Sequence, residues 1–244
     1  MPTGVYQHVV GPIDITNPNL IAFVKAKITA PENLKVPLLP VRINGKMITG
    51  AGTWDGMYFS KELHYALSLG YKIEAYEAYI FEGRLVFNEF IENIYNERLK
   101  FPKSDPMNYI CKLIMNSTYG RFGMAPILTD VKVFNRNDEH NYMDGTEFLD
   151  ITNINENLVM VTSNTVENIN LDIKNPNNNL QISLPIAIAT TSYARICIHE
   201  YKQAAAEQGI LLYSDTDSIR CSAPLPDELL GNGLGQLNWK VFLL

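Results

Sequence analysis

The sequence predicts an α+β chain in which antiparallel hairpins are set among a few well-formed helices. Three features point that way. Asn44-Gly45 lies between two alternating segments, the strongest short-range signal for a two-residue hairpin. Leu211-Leu212 and Ile219 bracket the polar run Tyr213-Ser214-Asp215-Thr216-Asp217-Ser218, which reads as strand, tight turn, strand. Phe87, Phe90, Ile91 and Ile94 recur at helical spacing, as do Ala194, Cys197, Ile198, Tyr201 and Ala205 further on.

From the start, residues 1–20 are rich in turn formers, with Gly4, Gly11, Pro12 and Pro18. Strands are expected over 21–28 and 36–48, and from Trp54 to Phe59 after the turn at Gly50 and Gly52. Ser60 is placed to cap a short helix, Lys61 to Leu69, which Gly70 stops. Tyr71 to Phe81 reads as another strand. An amphipathic helix over 86–100 ends at Pro102. Asp105 then caps a second helix, with Pro106 at its first position and Gly120 at its end. So short a link predicts that the two helices pack antiparallel, with Ile110, Leu113 and Ile114 turned toward the partner. After a turn at Pro126, strands are expected near Asp130–Phe134 and Leu158–Ser163, within an otherwise irregular 135–180. A long helix from Ile186 to Gln208 stops at Gly209, and the acidic hairpin follows at 210–222.

The 244 residues, 46% of them apolar, suffice for one large domain or two small ones with a real core. Cys111, Cys197 and Cys221 are too few and too scattered for a disulfide framework or a zinc site, which predicts a reducing compartment. His8, His64, His140 and His199 stand at no ligand spacing, and no role is assigned to them. No apolar run reaches the ~18 residues of a membrane helix, so no membrane partner is expected. Neither a secretory nor an Arg-rich transit pattern opens the chain. A net charge of −6 disfavours simple duplex binding, yet the charge is uneven. From Arg84 to Ala125 six bases face four acids; from Asp130 to Lys174 nine acids face three bases.

Asp215 and Asp217 place two carboxylates one residue apart at a hairpin tip. Such a pair repels itself unless a cation neutralises it, and Mg²⁺ takes one or two carboxylates together with substrate phosphates. The calcium-loop reading of Asp-x-Asp fails, because Ile219 occupies the next alternate position and no glycine follows. Lys112, Asn116 and Tyr119 stand at i, i+4 and i+7 on one helix face, offering a cation, an amide and an aromatic ring. A metal site and a phosphate-gripping helix together imply nucleotidyl transfer.

Both runs resemble motifs of the family B DNA polymerases. Tyr213 to Ser218 is similar to that family's Tyr-x-Asp-Thr-Asp-Ser palm hairpin, and Lys112 to Gly120 to its Lys-x-x-x-Asn-Ser-x-Tyr-Gly fingers helix. Met1-Pro-Thr-Gly, Pro37-Leu-Leu-Pro, Tyr119-Gly-Arg-Phe-Gly-Met and Leu237 most resemble the protein-primed branch of organellar linear plasmids and viruses. The resemblance runs from about residue 1 to about residue 240. It implies a palm, an antiparallel sheet with packed helices, and a two-helix fingers hairpin. In that layout 1–83 is a palm part with an insertion resembling the terminal-protein region, and 84–125 is the fingers pair. The remaining 126–244 is palm, with a second insertion near 130–180 and the catalytic hairpin.

The same resemblance implies the site. Asp217 would be the direct metal ligand and Asp215 the supporting one, with two Mg²⁺ ions in the complete enzyme. Lys112 and Arg98 would grip the triphosphate of the incoming nucleotide. Asn116 and Tyr119 would line the pocket of the new base pair, the Tyr119 ring excluding a 2′-hydroxyl by bulk. Tyr213, Ser214, Gly120 and Arg195 (in the run Tyr193-Ala194-Arg195) would meet the primer-template. The implied partners are DNA primer-template, deoxynucleoside triphosphates and a priming terminal protein. The implied location is a mitochondrial plasmid or organellar genome, with a virus or another reducing compartment as the alternative. The family's first palm motif, Asp-x-x-Ser-Leu-Tyr-Pro, has no match here; Asp14 is the nearest acid and its setting differs. The exonuclease domain and thumb are likewise unmatched, so the chain is expected to be inactive alone. A non-catalytic plasmid-derived remnant with residual nucleotide or DNA binding is the alternative reading. A reverse transcriptase is opposed by the Asp-Thr-Asp spacing and the Asn-Ser-x-Tyr-Gly helix.

Overall fold

The computed structural model describes residues 1–124, 129–138, 148–164, 183–231 and 233–238. It divides into two compact units, Met1–Tyr119 with Leu184–Leu244, and Gly120–Ser183. The turn expected at Pro126 lies outside the described residues.

The first unit is built on a four-stranded antiparallel sheet. Its strands are β1 (Pro2–Val10), β2 (Ala22–Ala30), β5 (Gly52–Phe59) and β6 (Lys72–Gly83), in the order β1-β6-β2-β5. The period-2 pattern of β2 fixes its faces: Val24, Ala26, Ile28 and Ala30 are buried, while Lys25, Lys27 and Thr29 are exposed. Helix α1 (Ser60–Ser68) covers the buried face with Leu63 and Ala66, joined by Leu38, Tyr58 and Tyr71. Between β2 and β5 runs the hairpin β3 (Pro40–Ile43) and β4 (Lys46–Thr49). Its turn is Asn44-Gly45 as expected, with φ of 51° and 78°, the left-handed pair that a tight twisted hairpin requires.

Strand β1 occupies a stretch expected to be turns. It is held by a partner some 70 residues away, β6, and carries a register shift between Thr3 and Gln7 where Gly4 has φ 74°. A bulge admits the glycine that locally argues against a strand. With Phe59 at the N-cap of α1, Ser60 is its first helical residue and not the expected cap. Its buried hydroxyl instead donates to the Leu20 carbonyl at 2.7 Å and accepts the Ala22 amide at 3.1 Å, tying α1 to the start of β2.

Helices α2 (Asn88–Leu99) and α3 (Pro106–Phe122) follow β6. Asp105 caps α3 as expected, its Oδ1 accepting the Met107 amide at 2.8 Å. Gly120 does not end α3, which continues for two further residues. The expected packing of Ile110, Leu113 and Ile114 against α2 is corrected: they are 42%, 51% and 41% exposed, and α2 buries no residue. Asn108 ties α3 to the end of α2 and the loop after it, so the pair meets at its linked ends.

Helix α4 (Leu184–Gln208) closes the unit. Ala189 packs on Phe23 and Phe59, and farther along Ile198, Tyr201 and Ala205 form a second small core. Ala194 and Cys197, expected in the buried stripe, are exposed; Ser192 and His199 are buried instead. The hairpin β10 (Leu211–Asp215) and β11 (Ser218–Cys221) follows, with Leu211 and Ile219 resting on the second core. The second unit carries β7 (Thr129–Asn135), β8 (Phe148–Asn153) and β9 (Leu158–Asn164) in the order β7-β9-β8. β8 falls where irregular chain was expected. Among the described residues no helix is long and apolar enough to cross a membrane.

Candidate active site

The register of β10 and β11 brings the two acids to the tip. Ser214 pairs with Ile219 and Asp215 with Ser218, leaving Thr216 and Asp217 as the turn. The base of the hairpin is anchored on α4 while Asp215 and Asp217 both stand in solvent. Thr216 has φ 46°, an outlier for a β-branched residue. Its hydroxyl donates to Asp215 Oδ1 at 3.0 Å, and the Ser218 hydroxyl donates to the Asp215 carbonyl at 2.9 Å. The tip is thus tied by side chains on both sides of the turn. Tyr213 is exposed, with the Arg220 guanidinium 5.9 Å from its ring centroid, and Ser214 is half-buried.

Two hard carboxylate oxygen donors suit Mg²⁺ in kind. Among the described residues, however, no cluster of three His, Cys, Asp or Glu side chains is present, so the acids alone supply part of one coordination shell. Asp14, the nearest acid to the unmatched palm motif, closes a local turn. Its Oδ1 accepts the Thr16 amide at 2.9 Å and the Thr16 hydroxyl at 2.6 Å, which holds its pKa below the ordinary value.

Lys112, Asn116 and Tyr119 are all exposed on α3, and Lys112 has no ion-pair partner among the described residues. Gly120 follows in the same helix, open on the side where a Cβ would stand. Arg98 is placed by Asn108: Nε donates to the Asn108 side-chain oxygen at 3.1 Å, and the Asn108 amide nitrogen donates to the carbonyls of Arg98 and Phe101 at 3.2 and 2.9 Å. Asn108 was not singled out in the sequence. Its only local signal is its position in the first turn of α3, facing the end of α2.

Arg195 has the most elaborate setting. Nε and Nη2 reach Glu62 Oε1 and Oε2 at 2.6 and 2.9 Å, and Nη2 also meets the Ser192 hydroxyl at 2.9 Å. Glu62 is fully buried, while the Arg195 side chain keeps 38% exposure. The Glu62 hydrogen bonds raise the Arg195 pKa above its ordinary value. Glu62, Ser192 and His199 were likewise given no such part by sequence. His199, buried, lies between the Val36 carbonyl at 2.8 Å and the Tyr65 hydroxyl at 3.2 Å.

The structure resembles known DNA polymerases. Phi29 DNA polymerase complexed with primer-template DNA and incoming nucleotide superimposes with a TM-score of 0.60 at 18% identity, over 94% of this chain and 36% of that one. Phi29 polymerase complexed with single-stranded DNA gives 0.58 at 19% identity, with the same coverages. The fold is therefore that of a DNA polymerase, over about a third of its length. In sequence, residues 1–208 match the family described as DNA polymerase type B, organellar and viral. A probable DNA polymerase of Neurospora intermedia is 31% identical over 98% of this chain, and one of Ascobolus immersus is 33% identical over 90% of it. The chain belongs to the organellar and viral type B DNA polymerase family. It spans 25% and 18% of the length of those two relatives.

Proposed function

We propose that this chain carries the nucleotide- and metal-handling part of DNA-directed, protein-primed DNA synthesis. The observation that supports it most is the hairpin tip: two carboxylates flank a left-handed Thr216, while the strands beneath are packed on α4. Asp217 and Asp215 hold a divalent cation there; when bound, it supplies positive charge to triphosphate oxygens. Lys112 and Arg98 bind the triphosphate of an incoming deoxynucleotide, and Asn116 and Tyr119 border the nascent base pair. Tyr213, Ser214, Gly120 and Arg195 border the primer-template. A priming protein and an organellar or plasmid genome belong to the same reading.

Two carboxylates with no third beside them among the described residues cannot fix two metal ions. The chain by itself should therefore bind nucleotide weakly and not extend a primer. That donor count also favours the second reading, a non-catalytic remnant that keeps nucleotide or DNA binding. Titration calorimetry with a deoxynucleoside triphosphate and Mg²⁺ tests the proposal. Lys112→Ala should weaken binding by about tenfold, as expected for one lost charge-assisted contact of ~1.4 kcal/mol. Unchanged affinity would remove Lys112 from the site, and robust incorporation in a primer-extension assay would overturn the expected inactivity.

A further inference from the structure

We propose that the cleft beside the Glu62–Arg195 pair holds one nucleotide unit of a single-stranded DNA segment. The cleft has a volume of about 380 Å³ and lies between the β3–β4 hairpin, β5 and the first half of α4. That is near the small end of the range for small-molecule sites, about 300–1,000 Å³. Met47 and Met57, 61% and 52% exposed, and Ile188 give it apolar walls. Thioethers adapt to flat rings without selecting among them, which suits a base of any identity.

The charged side chains of the cleft are Arg42 and Arg195 with Asp55 and Glu62. Arg195 uses Nε on Glu62 and Nη2 on Glu62 and Ser192, so among the described residues both N–H groups of Nη1 remain for a ligand. The buried Glu62 charge is neutralised by that pairing and positions the guanidinium rather than repelling an anion. Arg42 is exposed at the mouth with no ion-pair partner among the described residues. Asp55 also lines the cleft, and its carboxylate accepts the Tyr76 hydroxyl at 3.1 Å. Two guanidinium groups beside an apolar slot fit a phosphate joined to a flat ring. Arg42 and Met47 are directly paired across the β3–β4 hairpin and stand on the same face of it, so a phosphate and the base joined to it are met together, as in one unit of a strand. The choice of DNA rests on the polymerase reading above; the cleft shares with it only Arg195.

The test measures binding of the whole chain to a labelled oligothymidylate of about ten nucleotides by fluorescence polarisation. Arg42→Ala and Met57→Glu alter exposed side chains, and thermal melts confirm that both variants fold. Each should weaken binding about five- to tenfold, the scale of one lost phosphate contact or one lost base contact. An oligonucleotide carrying 5-iododeoxyuridine should cross-link to the segment holding Met47 and Met57. Affinities within about twofold of the parent, with cross-links elsewhere, overturn the cleft and leave the polymerase reading standing. Displacement of the oligonucleotide by an acidic peptide, but not by unlabelled oligothymidylate, also overturns it. Strand binding that depends on Arg42 and Met57 supports the cleft even if Lys112→Ala leaves nucleotide affinity unchanged.

Discussion

Arg195 closes on the carboxylate of Glu62, 133 residues earlier in the chain, through two parallel hydrogen bonds of 2.6 and 2.9 Å. The pair joins α4 to α1, one end fully buried and the other open to the cleft. A fork-to-fork geometry of this kind is strong because the donors are already arranged to match the acceptor.

Arg195→Leu should leave the buried Glu62 carboxyl without its partner. Removing one partner of a buried pair costs about 3–5 kcal/mol, and the exposure of Arg195 places the expected loss nearer ~2–3 kcal/mol. Glu62→Gln keeps shape and one acceptor and should cost less. Chemical denaturation of both variants checks the order; equal stability of parent and Arg195→Leu would mean that the pair contributes nothing to the fold.

His199 should make stability fall in mild acid. The Val36 carbonyl can only accept, so Nε2 carries the proton and Nδ1 accepts the Tyr65 hydroxyl. Burial pushes the His199 pKa below its ordinary value; Lys202 acts in the same direction, while the Val36 hydrogen bond and Glu200 oppose it. The unfolded chain therefore takes up the proton first, near pH 6.5. The stabilising term is complete above that pH and is lost as pH falls toward the lower folded value. Melting temperatures from pH 7.5 to pH 5 should decline, and His199→Gln should flatten the decline; parallel curves for the two proteins would contradict this.

Thr216 should be replaceable with a gain in stability. Its φ of 46° costs a β-branched residue about 1–2 kcal/mol, and asparagine tolerates that region far better. Thr216→Asn should raise the unfolding free energy by ~0.5–1 kcal/mol, the smaller net figure reflecting the lost hydroxyl contact to Asp215. A drop in stability on urea titration would show that the hydroxyl outweighs the strain.

The two faces of β2 should respond very differently. Ile28 has no exposed surface, so Ile28→Ala should cost about 2–5 kcal/mol through lost burial and the cavity it leaves. Lys27 is exposed on the other face, and Lys27→Ala should stay within ~0.5 kcal/mol of the parent. Similar losses at both positions, measured by denaturation, would mean that the register of β2 is wrong.

Much of the fold could be read locally. The Asn44-Gly45 turn, the Asp105 cap and the Asp215 hairpin are each specified by residues within a few positions of one another, and all three form as expected. The misses share a different cause. Strand β1 is created by β6, and Ser60 is drawn away from capping by Leu20 and Ala22, partners distant in sequence. Ile110, Leu113 and Ile114 form an apolar row at helical spacing and are nonetheless exposed. A row of apolar residues states what could be covered, and not that anything covers it.

The candidate site divides along the same line. Asp215 and Asp217 meet because two strands and a turn are contiguous, and Lys112, Asn116 and Tyr119 align because a helix repeats every 3.6 residues. The sequence alone determined both groupings, since each depends on short-range backbone geometry. Only the tertiary structure decided that Arg195 is held by a buried Glu62, that Asn108 places Arg98 and that His199 sits between Val36 and Tyr65. Those contacts join residues on different elements, and nothing in the local chain encodes which elements burial will bring together.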